Sequence, residues 1–391
     1  MSSHPVPIVK IEALALSAGF DDLYDSPEDV PDWLRRPSSR DRVQPRHGRY
    51  ATLVRVHAED GTIGTGECHG NPSPEVTATV VTAVLAPLLI GQDALATTAV
   101  WERLYGGQAV GGHTRGFSLE ALAGVDLALW DLRGKLAGVP VHRLLGGPIR
   151  DRIDCYASPV AFHDDPEDSA QQALDFVVDG FKALKVKIGR GERTDRAHLT
   201  AVREAVGEDI GILTDADCAY DLDQATRVGR VLRDLAISWY EEPLQADDLA
   251  GLTELRRRTG LTLVNGGTHL TRFDLRDSLL NCAVDVFAPD VARCGGITEA
   301  TRLAALTSAF HVGIAPHDVG SGVSLCAALQ LCAATSNFRQ YGHDRLPNPI
   351  HDRILMNPPE FKGGTLAVPQ GPGLGAEIDW DAVDRYTVAH F

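Results

Sequence analysis

Short stretches of alternating apolar and polar residues open the chain and predict an antiparallel sheet. The three stretches cover residues 8–16, 50–58 and 64–68, and the turn-forming Glu59-Asp60-Gly61 separates the last two. Apolar residues then recur with helical spacing over residues 74–89, 95–105 and 118–136. Strands followed by helices predict an α+β domain. The polar connection over residues 21–49 is long, and a loop of this length is either disordered or a functional lid.

A second pattern begins after the Gly- and Pro-rich segment 138–148, where we place a domain boundary. Here short apolar runs alternate with helical stretches, and the runs cover residues 153–156, 183–188, 210–213, 237–240, 261–264, 284–288 and 312–315. Seven or eight such units predict an α/β fold in which a parallel sheet closes into a barrel. An open doubly wound sheet is the alternative, but no Gly-x-Gly-x-x-Gly sequence follows an early strand.

The charge balance is acidic and argues against a nucleic-acid partner. The chain has 391 residues, with 53 Asp and Glu against 37 Lys and Arg, for a formal net charge of −16. Nucleic-acid binding requires a basic face. The N-terminus lacks the features of a secretory signal, and the longest apolar stretch, residues 80–90, is too short to cross a bilayer. We therefore expect a cytoplasmic protein that does not associate with membranes.

Charged and polar residues follow the ends of successive predicted barrel strands. They are Lys185 and Lys187, Asp215 and Asp217, Glu241 and Glu242, Thr268, Asp290 and His317. The carboxyl ends of barrel strands meet at one mouth, where active sites of this architecture lie. Singly, such an Asp is as often a helix cap, and a Lys-x-Lys pair usually lies on a surface strand. Their regular recurrence favours one shared site.

Several carboxylates beside two lysines in a partly buried mouth require a cation, because desolvating like charges is costly. Ligands that are all oxygen favour Mg²⁺ over zinc. Such an ion polarises a substrate carboxylate, and a lysine whose pKa is lowered by neighbouring cations acts as a base near neutral pH. The combination suits removal of the proton α to a carboxylate, with the metal stabilising the enediolate.

Four motifs along the chain resemble the enolase superfamily, in particular its mandelate racemase subgroup. They are Gly66-Glu-Cys-His69, Gly124-Val-Asp-Leu-Ala-Leu-Trp-Asp-Leu-Arg-Gly-Lys135, Leu144-Leu-Gly-Gly147 and Gly371-Pro-Gly-Leu-Gly375. The resemblance implies a modified, TIM-like (β/α)7β barrel over residues 141–345, under an N-terminal α+β capping domain over residues 1–140. It also implies that a C-terminal segment, residues 346–391, returns to the cap and that residues 21–49 cover the substrate.

The resemblance further implies a role for each residue of the predicted site. Lys187 is the base on one face of the substrate, and Lys185 lowers its pKa and contacts the substrate carboxylate. His317 is the acid or base on the opposite face, and Asp290 is its carboxylate partner. The muconate-lactonizing subgroup has a lysine at the position of Asp290, so that branch is the less similar one.

The sequence departs from the superfamily pattern at the metal site and at the substrate carboxylate. Asp215 and Glu241 match the first two metal ligands, but Thr268 replaces the glutamate expected as the third. Asp217 replaces an asparagine, and we hypothesise that its carboxylate supplies the missing ligand and keeps one Mg²⁺ bound per subunit. Gln340 lies near the position of a glutamate that binds the substrate carboxylate, and we expect it to act as a neutral donor.

The predicted substrate is a small hydroxy- or sugar-carboxylate. With bases on both faces the enzyme would racemise or epimerise it, or His317 would protonate a departing β-hydroxyl in a dehydration, and the sequence does not separate these outcomes. Cycloisomerase chemistry is an alternative that Asp290 disfavours. A metal-deficient homologue, with altered or no activity, is a further alternative because of Thr268. The resemblance also suggests a homo-oligomer.

Overall fold

The structure is a computed structural model that describes residues 5–24, 26–30, 32–35, 47–267 and 270–391. The predicted antiparallel meander is present at its N-terminal end. Its strands are β1 (Ile8–Gly19), β2 (Gly48–Ala58) and β3 (Ile63–Cys68). Strand β2 lies in the middle, with Leu53 opposite Leu14 on one side and Glu67 on the other.

Helices accompany this sheet, and those that follow β3 pack against it. They are α1 (Asp32–Arg35), α2 (Pro74–Thr79), α3 (Ala86–Leu89), α4 (Thr97–Val110) and α5 (Phe117–Ala137), with a π-helical turn at Val80–Leu85 between α2 and α3. Strand β3 touches α5 so closely that a Cβ atom at Gly64 would lie 2.0 Å from the Ala128 carbonyl oxygen, and one at Gly66 would lie 2.3 Å from the Gly124 carbonyl oxygen. Both positions therefore require glycine.

The short helix α6 (Val141–Leu144) leads into a barrel of eight parallel strands. The strands are β4 (Arg152–Val160), β5 (Ala183–Lys187), β6 (Gly211–Asp215), β7 (Trp239–Glu241), β8 (Thr262–Asn265), β9 (Val286–Phe287), β10 (Gly313–Ile314) and β11 (Tyr341–Asp344). They pair in chain order, and β11 pairs with β4. Single bridges from Ile314 to Phe338 and from His317 to Gly342 join the last two strands and close the barrel.

A helix connects each barrel strand to the next. The helices are α7 (Pro166–Val178), α8 (Glu192–Val206), α9 (Leu222–Asp234), α10 (Leu249–Thr259), α11 (Arg272–Leu280), α12 (Gly296–Ala309) and α13 (Gly322–Ala334). Seven helices between eight strands are the (β/α)7β arrangement, so the predicted fold class is confirmed. None of the helices in the described part of the chain combines the length and apolar character that a membrane crossing requires.

The C-terminal segment contacts both parts of the molecule. Helix α14 (Pro349–Arg353) is followed by the hairpin β12 (Phe361–Lys362) and β13 (Thr365–Ala367), and β13 pairs with the start of β4. Helix α15 (Trp380–Tyr386) then leads to β14 (Thr387–His390), which adds a fourth strand to the capping sheet beside β1. The domain boundaries at residues 140 and 345 remain predictions.

Two buried carboxylates of the capping domain bind the first turns of barrel helices. Glu67 accepts hydrogen bonds from the Ser321 and Ser324 amides, at 2.8 and 2.9 Å, and from the Ser321 hydroxyl. Asp126 accepts one from the Thr298 amide at 2.9 Å. Negative groups are favourable at helix N-termini, and these termini lie on the same side of the barrel as the strand ends. The contacts therefore fix the cap over the mouth of the barrel, which we define as the C-terminal ends of its strands.

Candidate active site

A cavity of about 410 Å³ lies at this mouth, between the barrel and the cap. Its wall includes Lys185, Lys187, Asp215, Asp217 and His317, which come from three different strand ends. The structure therefore brings together residues that the sequence analysis placed in one site.

A larger cleft of about 800 Å³ lies at the opposite, N-terminal ends of the strands. Its acidic residue, Asp285, is bound by the guanidinium group of Arg256, with contacts from 2.7 to 3.0 Å. In a barrel this face contributes to stability rather than to chemistry. The smaller cavity is the candidate active site.

Both lysines of β5 point into the barrel. The Lys185 amino group donates to Glu241 Oε1 at 2.8 Å and lies 3.2 Å from Asp215 Oδ2. The Lys187 amino group donates to Asp215 Oδ2 and Asp217 Oδ1, both at 2.8 Å. Residues two apart in a strand share one face, which is why both reach the same carboxylates. The alternative of a surface strand is excluded because Lys185 is only 3% exposed.

The electrostatic balance at Lys187 is opposite to the expectation from sequence. Burial by itself lowers its pKa, and the charge of Lys185 acts in the same direction, but the carboxylates of Asp215 and Asp217 outweigh both and raise the pKa. Burial likewise favours the protonated form of Asp215, but the two ammonium groups lower its pKa below the ordinary value. In this arrangement Lys187 is an ammonium ion.

Asp215, Asp217 and Glu242 form a carboxylate cluster in which one oxygen of each lies within 4.8 Å of the others. The backbone after β6 is left-handed at Asp217 and Cys218, with φ of 46° and 57°, and after β7 it is left-handed at Glu242, with φ of 41°. A hydrogen bond of 2.6 Å from the Cys218 amide to the Glu242 carbonyl joins these turns. Such conformations are uncommon for residues with a side chain and cluster at functional sites.

The donor set of this cluster fits a hard divalent cation. Glu242 Oε1 is buried and lacks a hydrogen-bond partner within the described ranges. Burial and the carboxylates of Asp215, Glu241 and Asp217 raise the pKa of Glu242 to about 8. Three carboxylates, one of them with an unsatisfied buried oxygen, are the ligands that Mg²⁺ prefers in proteins. The residues present therefore fit Mg²⁺.

The carboxylate cluster differs from the predicted ligand set at Glu241. Both oxygens of Glu241 are bound by the protein, Oε1 by Lys185 at 2.8 Å and Oε2 by the Trp239 indole N–H at 3.1 Å. The adjacent Glu242 is the member of the cluster instead, because the left-handed turn after β7 brings it to the mouth. Asp217 belongs to the cluster, as the sequence analysis expected. Thr268 lies outside the described residues.

His317 is a neutral imidazole in the wall of the cavity. Burial and the positive charges of Lys185 and Arg293 lower its pKa to about 3. Its Nδ1 atom is buried and makes no hydrogen bond to any described residue. A neutral imidazole with a free nitrogen is able to accept a proton.

In the described part of the chain, His317 makes no hydrogen bond to Asp290, its predicted carboxylate partner. One Asp290 oxygen accepts from the Ala292 amide at 2.8 Å, so the carboxylate closes a turn of its own backbone. The other oxygen lies 3.5 Å from Nδ1 of His69. Asp290 therefore lies between the barrel and the cap, and its contact with the cap was not foreseen.

Further residues of the cavity wall were missed by the sequence analysis, among them Arg49, His69, Arg293 and Asp344. His69 is the last residue of the motif Gly66-Glu-Cys-His69, so its place in that motif was an available signal. Arg293 donates to Glu120 Oε1 at 3.2 Å and to the Gly267 carbonyl at 2.9 Å. No local pattern distinguishes Arg49 or Asp344 from surface charges.

The structure does not place Gln340 in the cavity. Gln340 directly precedes β11, so it lies at the N-terminal end of that strand, away from the mouth. Gly342 and Asp344, two and four residues later, line the cavity instead. This position does not support the expected role in binding the substrate carboxylate, and that role stays a prediction.

Comparisons with known proteins assign the chain to a family. Residues 31–146 match the model of the mandelate racemase/muconate lactonizing enzyme N-terminal domain, and residues 168–382 match the enolase C-terminal domain-like model. The chain belongs to the enolase superfamily. The resemblance inferred from the four sequence motifs is thus confirmed.

Individual relatives in the superfamily are enzymes acting on sugar acids. The D-galactarolactone cycloisomerase of Agrobacterium fabrum is 36% identical over 351 residues, which cover 86% of this chain and 91% of that protein. The L-rhamnonate dehydratase of Saccharopolyspora erythraea is 32% identical and covers 95% of this chain and 96% of its own. The crystal structure of the 3,6-anhydro-D-galactonate cycloisomerase from Zobellia galactanivorans has a TM-score of 0.86 at 28% identity and covers 98% of this chain and 100% of its own. The prediction of an enolase-superfamily enzyme is confirmed.

Proposed function

We propose that this enolase-superfamily enzyme removes the α-proton of a small hydroxy- or sugar-carboxylate, with Mg²⁺ bound at its carboxylate cluster. The observation that carries this proposal is the cavity at the barrel mouth, which Lys187, His317 and all three members of the carboxylate cluster line together. A base, a neutral imidazole and anionic metal ligands around one cavity are what formation of an enediolate requires.

Lys187 is the proposed base on one face of the substrate. It acts as a base only after losing the proton that it shares with Asp215 and Asp217, at 2.8 Å from each. The positive charge of Lys185 beside it favours that loss. Lys185 is itself fixed by Glu241 and Asp215, so its ammonium group is positioned to contact the substrate carboxylate.

His317 is the proposed partner on the opposite face. Its neutral imidazole accepts a proton from the substrate or, once protonated, donates one to the α-carbon or to a departing hydroxyl. Asp290 is proposed to support the imidazolium ion through its buried carboxyl group, whose pKa is raised by burial and by the neighbouring Asp318. Its second oxygen, which is buried without a hydrogen-bond partner among the described residues, is available for this role.

Asp215, Asp217 and Glu242 would bind one Mg²⁺ per subunit. A bound Mg²⁺ supplies Lewis-acid polarisation of the substrate carboxylate and stabilises the negative charge of the enediolate. As a metal ligand, Asp217 would replace the glutamate that is missing at Thr268. Because Glu242 would be the other ligand, Glu241 remains bound to Lys185. We further propose a cytoplasmic location, as expected in the sequence analysis, and a homo-oligomer, which rests on the resemblance to the superfamily alone.

Two outcomes of the enediolate are favoured by the relatives. The L-rhamnonate dehydratase favours loss of a β-hydroxyl from an acid sugar, which His317 would protonate. The two cycloisomerases favour an intramolecular rearrangement of a cyclic sugar acid, so this second candidate gains support despite Asp290. Racemisation or epimerisation would use Lys187 and His317 in the same way and would need no leaving group on the substrate.

A single NMR experiment tests the proposal. The purified protein with Mg²⁺ is incubated in D₂O with aldonates, aldarates and sugar lactones, and ¹H spectra are recorded. A 2-keto product indicates dehydration, an isomer of the ring indicates cycloisomerisation, and deuterium at Cα without loss of water indicates racemisation or epimerisation. Absence of every one of these changes across the panel would overturn the proposal.

A further inference from the structure

An ion pair joins the cap to the barrel at the rim of the candidate active site. Arg49 lies in β2 of the capping sheet and Asp344 is the last residue of β11. Arg49 Nη2 is 3.1 Å from Asp344 Oδ2, and both side chains are 4% exposed. Both residues line the same cavity as Lys187 and His317. The pair therefore forms part of the wall that a substrate contacts.

The two side chains are held at the rim of the cavity by hydrogen bonds to the backbone. Arg49 Nε donates to the Pro347 carbonyl at 3.0 Å, and Asp344 Oδ1 accepts from the Leu346 amide at 3.0 Å. Arg49 Nη2 and Asp344 Oδ2 are buried, and neither has a hydrogen bond of acceptable geometry to another described residue. Among the described residues the charged partner of each atom is the other, 3.1 Å away, so a ligand group that adds a hydrogen bond to either side chain is stabilising.

The chemistry of the pair selects the ligand group. A hydroxyl both donates and accepts, so one hydroxyl binds a carboxylate such as Asp344 and a guanidinium group such as Arg49 at once. A carboxylate only accepts, and it would bring a second negative charge beside Asp344. Two neighbouring hydroxyls on a sugar chain fit a guanidinium–carboxylate pair better than any anion does.

The other cations of the cavity wall are already compensated in the described part of the chain. Lys185 is paired with Glu241 at 2.8 Å, and Lys187 with Asp215 and Asp217. Arg293 is paired with Glu120 at 3.2 Å. One substrate carboxylate is accommodated at the lysines and the carboxylate cluster, but a second has no uncompensated cation in these ranges.

We propose that Arg49 and Asp344 recognise the hydroxyl groups at the tail of a monocarboxylic sugar acid and discriminate against dicarboxylic acids of the same length. The favoured substrate class is thus the aldonates, and the disfavoured class is the aldarates. This inference rests on the proposed function, because it assumes that the reacting carboxylate lies at the barrel lysines. Arg49 and Asp344 set specificity and do not touch the α-carbon.

The test compares specificity constants for aldonates and aldarates of equal length and stereochemistry, with Mg²⁺ present. Loss of a hydrogen bond to a charged group costs about tenfold to a hundredfold, so we expect wild-type kcat/KM for the aldonate to exceed that for the aldarate by at least about tenfold. In Asp344→Asn the guanidinium loses its carboxylate partner, and we expect the aldarate-to-aldonate ratio to rise by about tenfold or more. Arg49→Lys keeps the positive charge but removes the planar guanidinium group with its several N–H donors, and we expect it to lower aldonate turnover.

The control variant is Asp179→Asn, which removes the exposed partner of Arg345, the residue next to Asp344 in the chain. It should leave both specificity constants unchanged. The ratio of two constants measured on one preparation does not depend on the folded fraction, so a loss of stability in Asp344→Asn does not affect the result.

The outcomes separate the two proposals. Wild-type protein that reacts with neither substrate class overturns the proposed function and this inference with it. Wild-type protein that uses aldarates as well as aldonates, or an Asp344→Asn variant with an unchanged ratio, overturns the inference alone. A reversed preference in the wild-type, with aldarates favoured, does the same.

Discussion

Binding of Mg²⁺ to the carboxylate cluster should release a measurable fraction of a proton. The pKa of Glu242 is raised to about 8, so at pH 7 this carboxyl group is about nine-tenths protonated. A carboxylate must be ionised before it binds a cation. We therefore expect about 0.9 protons released per Mg²⁺ at pH 7, about 0.5 at pH 8 and about 0.1 at pH 9.

Isothermal titration calorimetry measures this number directly. Titrations of Mg²⁺ into the protein are repeated in buffers of different ionisation enthalpy, and the slope of the observed enthalpy against that quantity gives the protons released. The apparent affinity should also strengthen as the pH rises towards 8, since fewer protons then compete with the ion. Glu242→Gln removes the titrating group, so this variant should bind Mg²⁺ more weakly and release almost no proton at pH 7.

The adjacent glutamate is the matched control. Glu241 is bound by Lys185 and Trp239, so Glu241→Gln should retain most of the proton release. A slope near zero for the wild-type protein at pH 7 would refute the assignment of Glu242 to the carboxylate cluster. Loss of the release in Glu241→Gln but not in Glu242→Gln would return the ligand role to Glu241, as the sequence analysis expected.

Three further predictions concern stability and are measured by chemical denaturation. Ala236 follows α9 with a left-handed φ of 54°, so Ala236→Gly should stabilise the protein by about 1 kcal/mol. Ala197 lies on the exposed face of the helix α8, so the control substitution Ala197→Gly should destabilise the protein by about the same amount. Burial raises the pKa of Asp126 from 3.8 to about 7, although its hydrogen bonds to Thr298 act in the opposite direction. The folded state therefore favours the protonated form of Asp126. The stability that this protonated form contributes is complete below pH 3.8 and is lost as the pH rises through 7. Asp126→Asn should abolish this dependence, which amounts to as much as about 4 kcal/mol. A Cβ atom at Gly342 would lie 2.7 Å from the Tyr156 hydroxyl oxygen, so Gly342→Ala should cost about 1–3 kcal/mol, and Tyr156→Phe in the same chain should recover part of the loss.

Each stability prediction has an outcome that contradicts it. Equal effects of glycine at positions 236 and 197 would mean that the backbone after α9 is not left-handed. A stability difference between wild-type and Asp126→Asn that does not change between pH 4 and pH 8 would contradict the raised pKa. Strict additivity of Gly342→Ala and Tyr156→Phe would show that the two residues do not touch.

The periodicity of apolar residues was sufficient to predict most of the fold. Alternation over three stretches predicted the capping meander, and continuous apolar runs predicted seven barrel strands, because strands buried on both faces need apolar residues on both. The eighth strand, Tyr341–Asp344, escaped this approach, since its sequence Tyr-Gly-His-Asp has no apolar run. It is buried because of its pairing with β4 and its position under the cap, which are contacts between distant segments.

The missing strand explains the choice of Gln340. Without β11 in place, no residue could be assigned to its C-terminal end, and the candidate was chosen because the superfamily has a glutamate near this position. The strand places Asp344 at the mouth and Gln340 at the opposite end. A shift of four residues along a strand is about 13 Å, which is enough to leave the cavity.

The chemistry at the mouth was predicted in kind but not in detail. The sequence brought Lys185, Lys187, Asp215 and Asp217 to one site, because residues two apart in a strand share a face. It could not distinguish Glu241 from Glu242, since that depends on one left-handed residue after β7. It also gave the wrong direction for the pKa of Lys187, because the distances of two carboxylates from its amino group follow only from the folded structure.

The most direct test of the account is exchange of the substrate α-proton in D₂O, followed by ¹H NMR for wild-type, Lys187→Met and His317→Asn proteins. Calorimetry with Mg²⁺ first confirms that each variant retains its metal site. If Lys187 and His317 lie on opposite faces of one α-carbon, each residue reacts with substrates of one configuration at C2. For the configuration that Lys187 deprotonates, Lys187→Met should lower the rate of α-proton exchange by about a hundredfold or more. His317→Asn should retain exchange of that substrate while product formation falls. A Lys187→Met protein that exchanges the α-proton of every substrate at the wild-type rate would contradict the account.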